Sequence, residues 1–156
     1  MIVMIGLFLV ACGPPQPVFV DQYPTLLPTP TLAVITKPIG MDEKEEVFDF
    51  FYELKNLMAL DEYEHFAEEI RYPITVNVDG QAKTFIYVAE FEADFEKIFS
   101  EDVIQRFIST DESELIFTQN GVKVPDGIIW FNLICMDSAC EEEEFLITEI
   151  NRPYRK

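Results

Sequence analysis

Cys135 and Cys140 bracket Met136-Asp137-Ser138-Ala139 between two stretches rich in β-formers, and they are the residues with the most definite chemistry in the chain. Two cysteines facing each other across a hairpin mouth can meet disulfide geometry, and closing so short a loop is worth roughly 2 kcal/mol in the chain-entropy picture. There is no Cys-x-x-Cys, and no basic residue stands beside either thiol in sequence to lower its pKa, so a structural disulfide is expected rather than a redox-active pair. Glu141 to Glu144, with Asp137 just before them, offer hard oxygen ligands of the kind Ca²⁺ takes, but no EF-hand spacing is present and a charge run of this kind reads as a solvated loop. His65 lies among Glu64, Glu68 and Glu69, where acidic neighbours would raise its pKa toward that of a general base. No nucleophile or orienting partner can be placed beside it, so it reads as a surface histidine. It is also the one histidine and lies far from the cysteines, so no metal site is assigned. No Gly-rich phosphate loop, nucleophile elbow or His-x-x-x-His appears, so no catalytic residue and no cofactor is assigned.

Tyr52, Tyr72, Tyr87, Trp130 and Asn132 are the candidate pocket residues, because helices over a curved sheet can leave a cavity lined by aromatic rings with a few polar tips. The competing reading is ordinary core, in which each ring packs and its O–H or N–H finds one partner.

The elements that must hold these side chains follow from hydrophobic spacing. Val47, Phe48, Phe51, Leu54, Leu57 and Met58 recur at three- and four-residue intervals, which predicts an amphipathic helix over 45–60 with its acids in the first turn. A shorter helix is expected over 61–70. Strands are then expected over 72–78 and 83–88 around an Asp79-Gly80 hairpin turn. Residues 90–99 are helical in pattern, and Ser100 is placed as the N-cap of a further helix carrying Val103, Ile104, Phe107 and Ile108. Strands over 115–119, 122–124, 127–135 and 145–150 follow, separated by Asn120-Gly121, Pro125-Asp126-Gly127 and Asp137-Ser138. Helices packed on one face of an antiparallel sheet make a single α+β domain.

The 156 residues carry a net charge of −18. Only Asp21 and Lys37 among the charged residues lie outside 41–156, and they cancel, so the domain holds the whole excess. Nucleic acid and anionic lipid are disfavoured as partners because the clustered Lys and Arg that bind phosphates are lacking. From Gly13 to Gly40 the chain is rich in proline, with Pro28-Thr-Pro-Thr31 as its clearest run. Such a stretch favours extended polyproline-II geometry and reads as a spacer.

Before it stands Met1-Ile-Val-Met-Ile-Gly-Leu-Phe-Leu-Val-Ala-Cys12, an apolar run too short to span a bilayer, with no Lys or Arg ahead of it. Leu9-Val10-Ala11-Cys12 resembles the lipobox of bacterial lipoprotein signal peptides. That resemblance implies removal of residues 1–11, acylation of Cys12, a lipid anchor and linker over 12–40, and an α+β domain over 41–156 held on the bacterial cell envelope, outside the cytoplasm. Such a compartment is oxidising, which suits the Cys135–Cys140 bridge.

The order helix, helix, hairpin, helix, meander resembles the NTF2-like, or cystatin-like, cone, in which a curved sheet wraps helices around a cavity. Tyr72-Pro73-Ile74-Thr75-Val76-Asn77 and Gly121 through Asn132 look like segments of uncharacterised secreted or lipid-anchored members. Enzymes of that superfamily place a carboxylate or histidine inside the cone beside tyrosines, and Asp94 and Glu149 come closest to such a place here. The leading expectation is a non-catalytic domain that binds a small ligand or an envelope protein. The alternatives are a lyase or isomerase acting in the cone, and a structural or inhibitory acidic surface protein. The strand 128–135 is apolar on both faces, so its second face needs a cover: the Pro-rich segment, another strand layer, or a second copy forming a homodimer through the sheet.

Overall fold

The glutamates that open the first helix and the apolar residues recurring behind them place it where the spacing predicts. In a computed structural model that describes residues 36–40, 43–78 and 81–151, α1 runs Lys44–Ala59 and buries Val47, Phe50, Phe51, Leu54 and Met58. Glu45 and Glu46 sit in its first turn, where the helix dipole favours them. Cys12 and the expected signal peptide, most of the expected linker, the Asp79-Gly80 turn and the basic residues Arg152, Arg155 and Lys156 lie outside the described residues. Among the described residues no helix is long and apolar enough to cross a membrane.

Asp61 ends α1. It takes a positive φ of 58°, while the Glu62 N–H donates to the Leu57 carbonyl at 2.9 Å and the Asp61 N–H to Met58 at 3.4 Å. This is a Schellman closure with aspartate in the place glycine usually takes. The second helix is therefore shorter than 61–70: α2 spans Tyr63–Glu68 and buries Phe66 and Ala67.

An antiparallel hairpin follows, β2 (Ile74–Val78) with β3 (Gln81–Phe85). Its first strand begins two residues later than expected, after a cis Tyr72–Pro73 peptide. The second ends at Phe85 rather than at Val88, because the Glu90 carboxylate accepts the Ile86 N–H at 2.9 Å and turns the chain into helix. The helix expected over 90–99 is two pieces, α3 (Val88–Glu92) and α4 (Phe95–Ile98). The break falls at Asp94, which occupies the cap of α4 and whose carboxylate is drawn to Lys83 on β3 and to Lys97. Aspartate favours caps over helix interiors for this kind of reason.

Helix α5 (Glu101–Ser109) buries Val103 and Phe107. Ser100 holds its cap position with extended backbone, but the side chain makes no capping bond. Only its carbonyl serves the helix, accepting from Val103 and Ile104, and its buried hydroxyl has no partner among the described residues.

The remaining strands build one antiparallel sheet: β4 (Ile116–Thr118), β5 (Gly121–Lys123), β6 (Ile129–Cys135) and β7 (Glu143–Ile150). β6 is central. β7 lies along one edge, while β5 and the short β1 (Thr36–Lys37) share the other and β4 lies outside β5. Thr36 and Lys37 come from the stretch expected as linker, so its end joins the sheet. The tight β4–β5 turn is one residue earlier than Asn120-Gly121, since Thr118 pairs with Gly121 and leaves Gln119-Asn120 as the loop.

A register shift opposite Trp130 and Phe131 leaves Thr148 as an extra residue in β7. Its hydroxyl accepts from Asn132 Nδ2 at 2.9 Å, which satisfies a side chain that is only 7% exposed. The architecture is thus α+β: helices with an open antiparallel sheet and a separate two-stranded hairpin.

Aromatic rings fill the space between these elements. Phe91 meets Phe85 at 5.3 Å and Phe95 at 6.2 Å, Phe66 meets Phe95 and Phe99 at 5.6 Å each, and Phe51 meets Phe107 at 5.7 Å. Most pairs are edge-to-face, the arrangement that ring quadrupoles favour. Leu133, Ile134 and Leu146 are buried too, but outside this main cluster.

Candidate functional site

The five candidate pocket residues occupy different surroundings. Tyr52 on α1 is 44% exposed and its hydroxyl donates to Glu112, which holds the phenol pKa above its ordinary value. Tyr72 is half-buried, donates to the Ala67 carbonyl at 3.0 Å and has its pKa pushed up by burial. Tyr87, at the cap of α3, is 68% exposed. Trp130 is half-buried beneath Lys123, whose ammonium lies 5.4 Å from the ring centre, and Asn132 is spent on Thr148. None of the five lines either of the two clefts described below.

The two acids that came closest to an inward position both have polar partners near the surface. Asp94 is ion-paired, and hydrogen bonds first from Lys83 and then from Lys97 hold its carboxyl below its ordinary pKa. Glu149 is exposed and accepts from Asn151 Nδ2 at 2.6 Å. His65 has a side chain 63% exposed, with Nδ1 3.8 Å from Glu62 Oε2.

Carboxylates gather instead in two surface clefts. One, of about 510 Å³, lies between the start of α2 and the α3–α4 junction and is lined by Asp61, Glu62, Glu64, Glu92 and Glu96 around Tyr63, with His65 and Lys97 also in its wall. Tyr63 stacks on Phe95 at 4.1 Å between ring centres. Its hydroxyl donates to Asp61 at 2.6 Å, and that bond, followed by burial, pushes its pKa up to about 12. The other, of about 470 Å³, is bounded by Glu46, Asp49 and Glu53 of α1, Glu69 beyond α2, and Glu143 and Glu144 of β7, with Phe50 and Phe145 as its apolar floor. Glu69 is pushed up to about 7, first by burial and then by the charges of Glu53, Glu144 and Glu68. A groove of this kind attracts cations and repels anions over its whole length.

Cys135 and Cys140 stand as a disulfide-distance pair with Cα atoms 4.7 Å apart. Asp137 organises the loop between them: its carboxylate accepts the N–H groups of Ala139 at 2.7 Å, Glu141 at 3.2 Å and Glu142 at 2.9 Å. Those bonds, Glu141 first, hold the Asp137 pKa below its ordinary value. Asp137 is thereby committed to the backbone, and among the four glutamates Glu143 pairs with Lys37 at 3.2 Å while Glu144 faces the groove.

Glu69 and Glu143 were named in the sequence only as members of acidic runs, and their places in the groove and beside the cysteines come from packing. The signal for Glu69 was a second acid immediately before buried Ile70, and for Glu143 its place opposite Cys135 in the ladder. Comparison with protein-family models, with curated proteins and with solved structures finds no match for this chain.

Proposed function

We propose that this chain is a lipid-anchored protein of the bacterial cell envelope whose NTF2-like domain binds a cationic ligand, or a protein with a basic surface, and does no chemistry of its own. The observation that carries the reading is where the side chains lie. Phe51, Phe66, Phe85, Phe91, Phe95, Phe99, Phe107 and Phe131 are each less than 2% exposed and occupy the interior, while the carboxylates line clefts at the surface. An enzyme working inside a cone needs an internal carboxylate or histidine beside tyrosine, whereas Asp61, which accepts from Tyr63, and His65 are both exposed. Asp94 is instead neutralised by two lysines, and Glu69, which titrates near 7, lies in a groove whose lining includes no tyrosine.

On this reading Cys12 becomes the acylated N-terminus after residues 1–11 are removed. The Pro-rich segment then holds the domain away from the leaflet, outside the cytoplasm, and acyl chains supply the membrane attachment. The charge excess keeps the domain clear of anionic lipid headgroups and draws basic partners by long-range attraction, screened beyond about 8 Å at physiological ionic strength. Pairing of two copies through the sheet remains compatible with that charge at such salt. The anchoring half is tested by growing cells with labelled palmitate: label in the full chain and none in a Cys12→Ser variant supports it. Unlabelled wild-type chain recovered from the soluble fraction with its initiator methionine overturns it.

A further inference from the structure

The cysteine pair has a third donor beside it. β6 and β7 are in register so that Cys135 faces Glu143, and Cys140 Sγ lies 3.4 Å from Glu143 Oε1. Both sulfurs and a Glu143 carboxylate oxygen fall within 4.8 Å of one another. In a tetrahedral zinc site, with Zn–S about 2.3 Å and Zn–O about 2.1 Å, neighbouring sulfur and oxygen ligands stand about 3.6 Å apart. The sulfur–oxygen edge is therefore nearly in place. Two thiolates on one zinc stand about 3.8 Å apart, a spacing that rotation about the two Cα–Cβ bonds reaches once the bridge is opened.

The loop that presents these groups has supports besides the sulfur–sulfur bond. The Met136 N–H donates to the Glu142 carbonyl at 2.8 Å, and the Asp137 carboxylate gathers three further N–H groups. A reduced loop held in this way keeps both sulfurs on the Glu143 side, so little ordering cost opposes binding. Lys37 reaches Glu143 Oε2 at 3.2 Å and Glu43 at 3.4 Å, which leaves Oε1 turned toward the sulfurs. Two thiolates, the Glu143 and Glu43 carboxylates, the Lys37 ammonium and a divalent cation sum to a single negative charge, so the cation offsets most of what opening the bridge exposes.

We propose that Cys135, Cys140 and Glu143 form a redox-gated site for a thiophilic divalent cation such as Zn²⁺. With the bridge closed, the site is shut. Exchange with a dithiol reductant opens it: the reductant becomes a disulfide, and its two thiol protons pass to Cys135 and Cys140. The cation then binds both sulfurs as thiolates, releasing those two protons, and takes Glu143 Oε1 as third ligand and solvent water as fourth.

The test uses the full chain carrying Cys12→Ser, so that only these two thiols are present, reduced with a phosphine, freed of reductant without air and titrated with Cd²⁺. The site predicts a sulfur-to-cadmium charge-transfer band that saturates at one equivalent in reduced protein and is missing from oxidised protein. Cys140→Ser removes it. Glu143→Gln keeps the band but weakens binding about tenfold or more, with native far-ultraviolet dichroism of the oxidised variant confirming the fold. A reduced protein without the band, saturation at half an equivalent, or an unchanged affinity in Glu143→Gln overturns the proposal.

Discussion

Replacing Glu69 with glutamine should stabilise the protein at pH 8 and leave it almost unchanged at pH 5. The carboxyl titrates near 4.5 in an unfolded chain and near 7 in the folded one, because burial and then Glu53, Glu144 and Glu68 oppose its ionisation. Between those values the folded state binds more protons than the unfolded state, so stability is full below about 4.5 and declines as pH rises through about 7. At 1.36 kcal/mol per pH unit the upper limit of the loss is about 3 kcal/mol. Solvent screening of a half-buried side chain reduces this to about 1–2 kcal/mol.

Glutamine keeps the shape and never ionises, so it recovers that amount at pH 8. Urea unfolding followed by the fluorescence of Trp130, the chain's one tryptophan, measures the difference as a shift in midpoint at constant slope. High salt should narrow the gap at pH 8 without closing it, since salt screens the neighbouring charges but not burial. Equal midpoint shifts at both pH values, or a destabilised variant at pH 8, would refute the reasoning.

Two substitutions test the packing. Gly121 has φ +118°, and a Cβ there would stand 2.6 Å from the Phe131 carbonyl and closer still to Asn132 Oδ1. Gly121→Ala should therefore cost about 2–4 kcal/mol, with strain and collision both contributing, as read by denaturant midpoint. Phe91, which touches Phe85, Phe95, Phe99 and Tyr72, should cost about 3–5 kcal/mol when truncated to alanine, seen as a lower melting temperature.

Where one local rule dominated, the sequence was legible. The apolar spacing of α1 and the alternation of β2 placed both elements because each buries one face. The boundaries moved where a polar side chain was committed to a particular partner: Asp94 broke one expected helix because Lys83 lies on another element, and Glu90 ended β3 by capturing the Ile86 N–H four residues before it. Neither contact follows from apolar periodicity, the signal that placed the elements. Ser100 looked like a cap by residue type, yet its hydroxyl makes no capping bond. The Cys135–Cys140 pairing was legible because a short loop leaves few alternatives. The place of Glu143 opposite Cys135 became visible only through ladder register, which a single bulge at Thr148 resets. The acidic groove was hidden for the same reason, since its carboxylates come from α1, the end of α2 and β7, and only packing brings them together.

The central claim, binding at an acidic surface rather than chemistry in a cavity, is tested most directly by titrating the full chain with a lysine-rich peptide in a calorimeter at low and at high salt. Binding through the clefts predicts saturable association at low salt, weakened about tenfold or more at high salt, and weakened also when Glu46, Asp49 and Glu53 are changed to their amides. Failure to bind at low salt, or an affinity indifferent to salt and to those three amides, would contradict it.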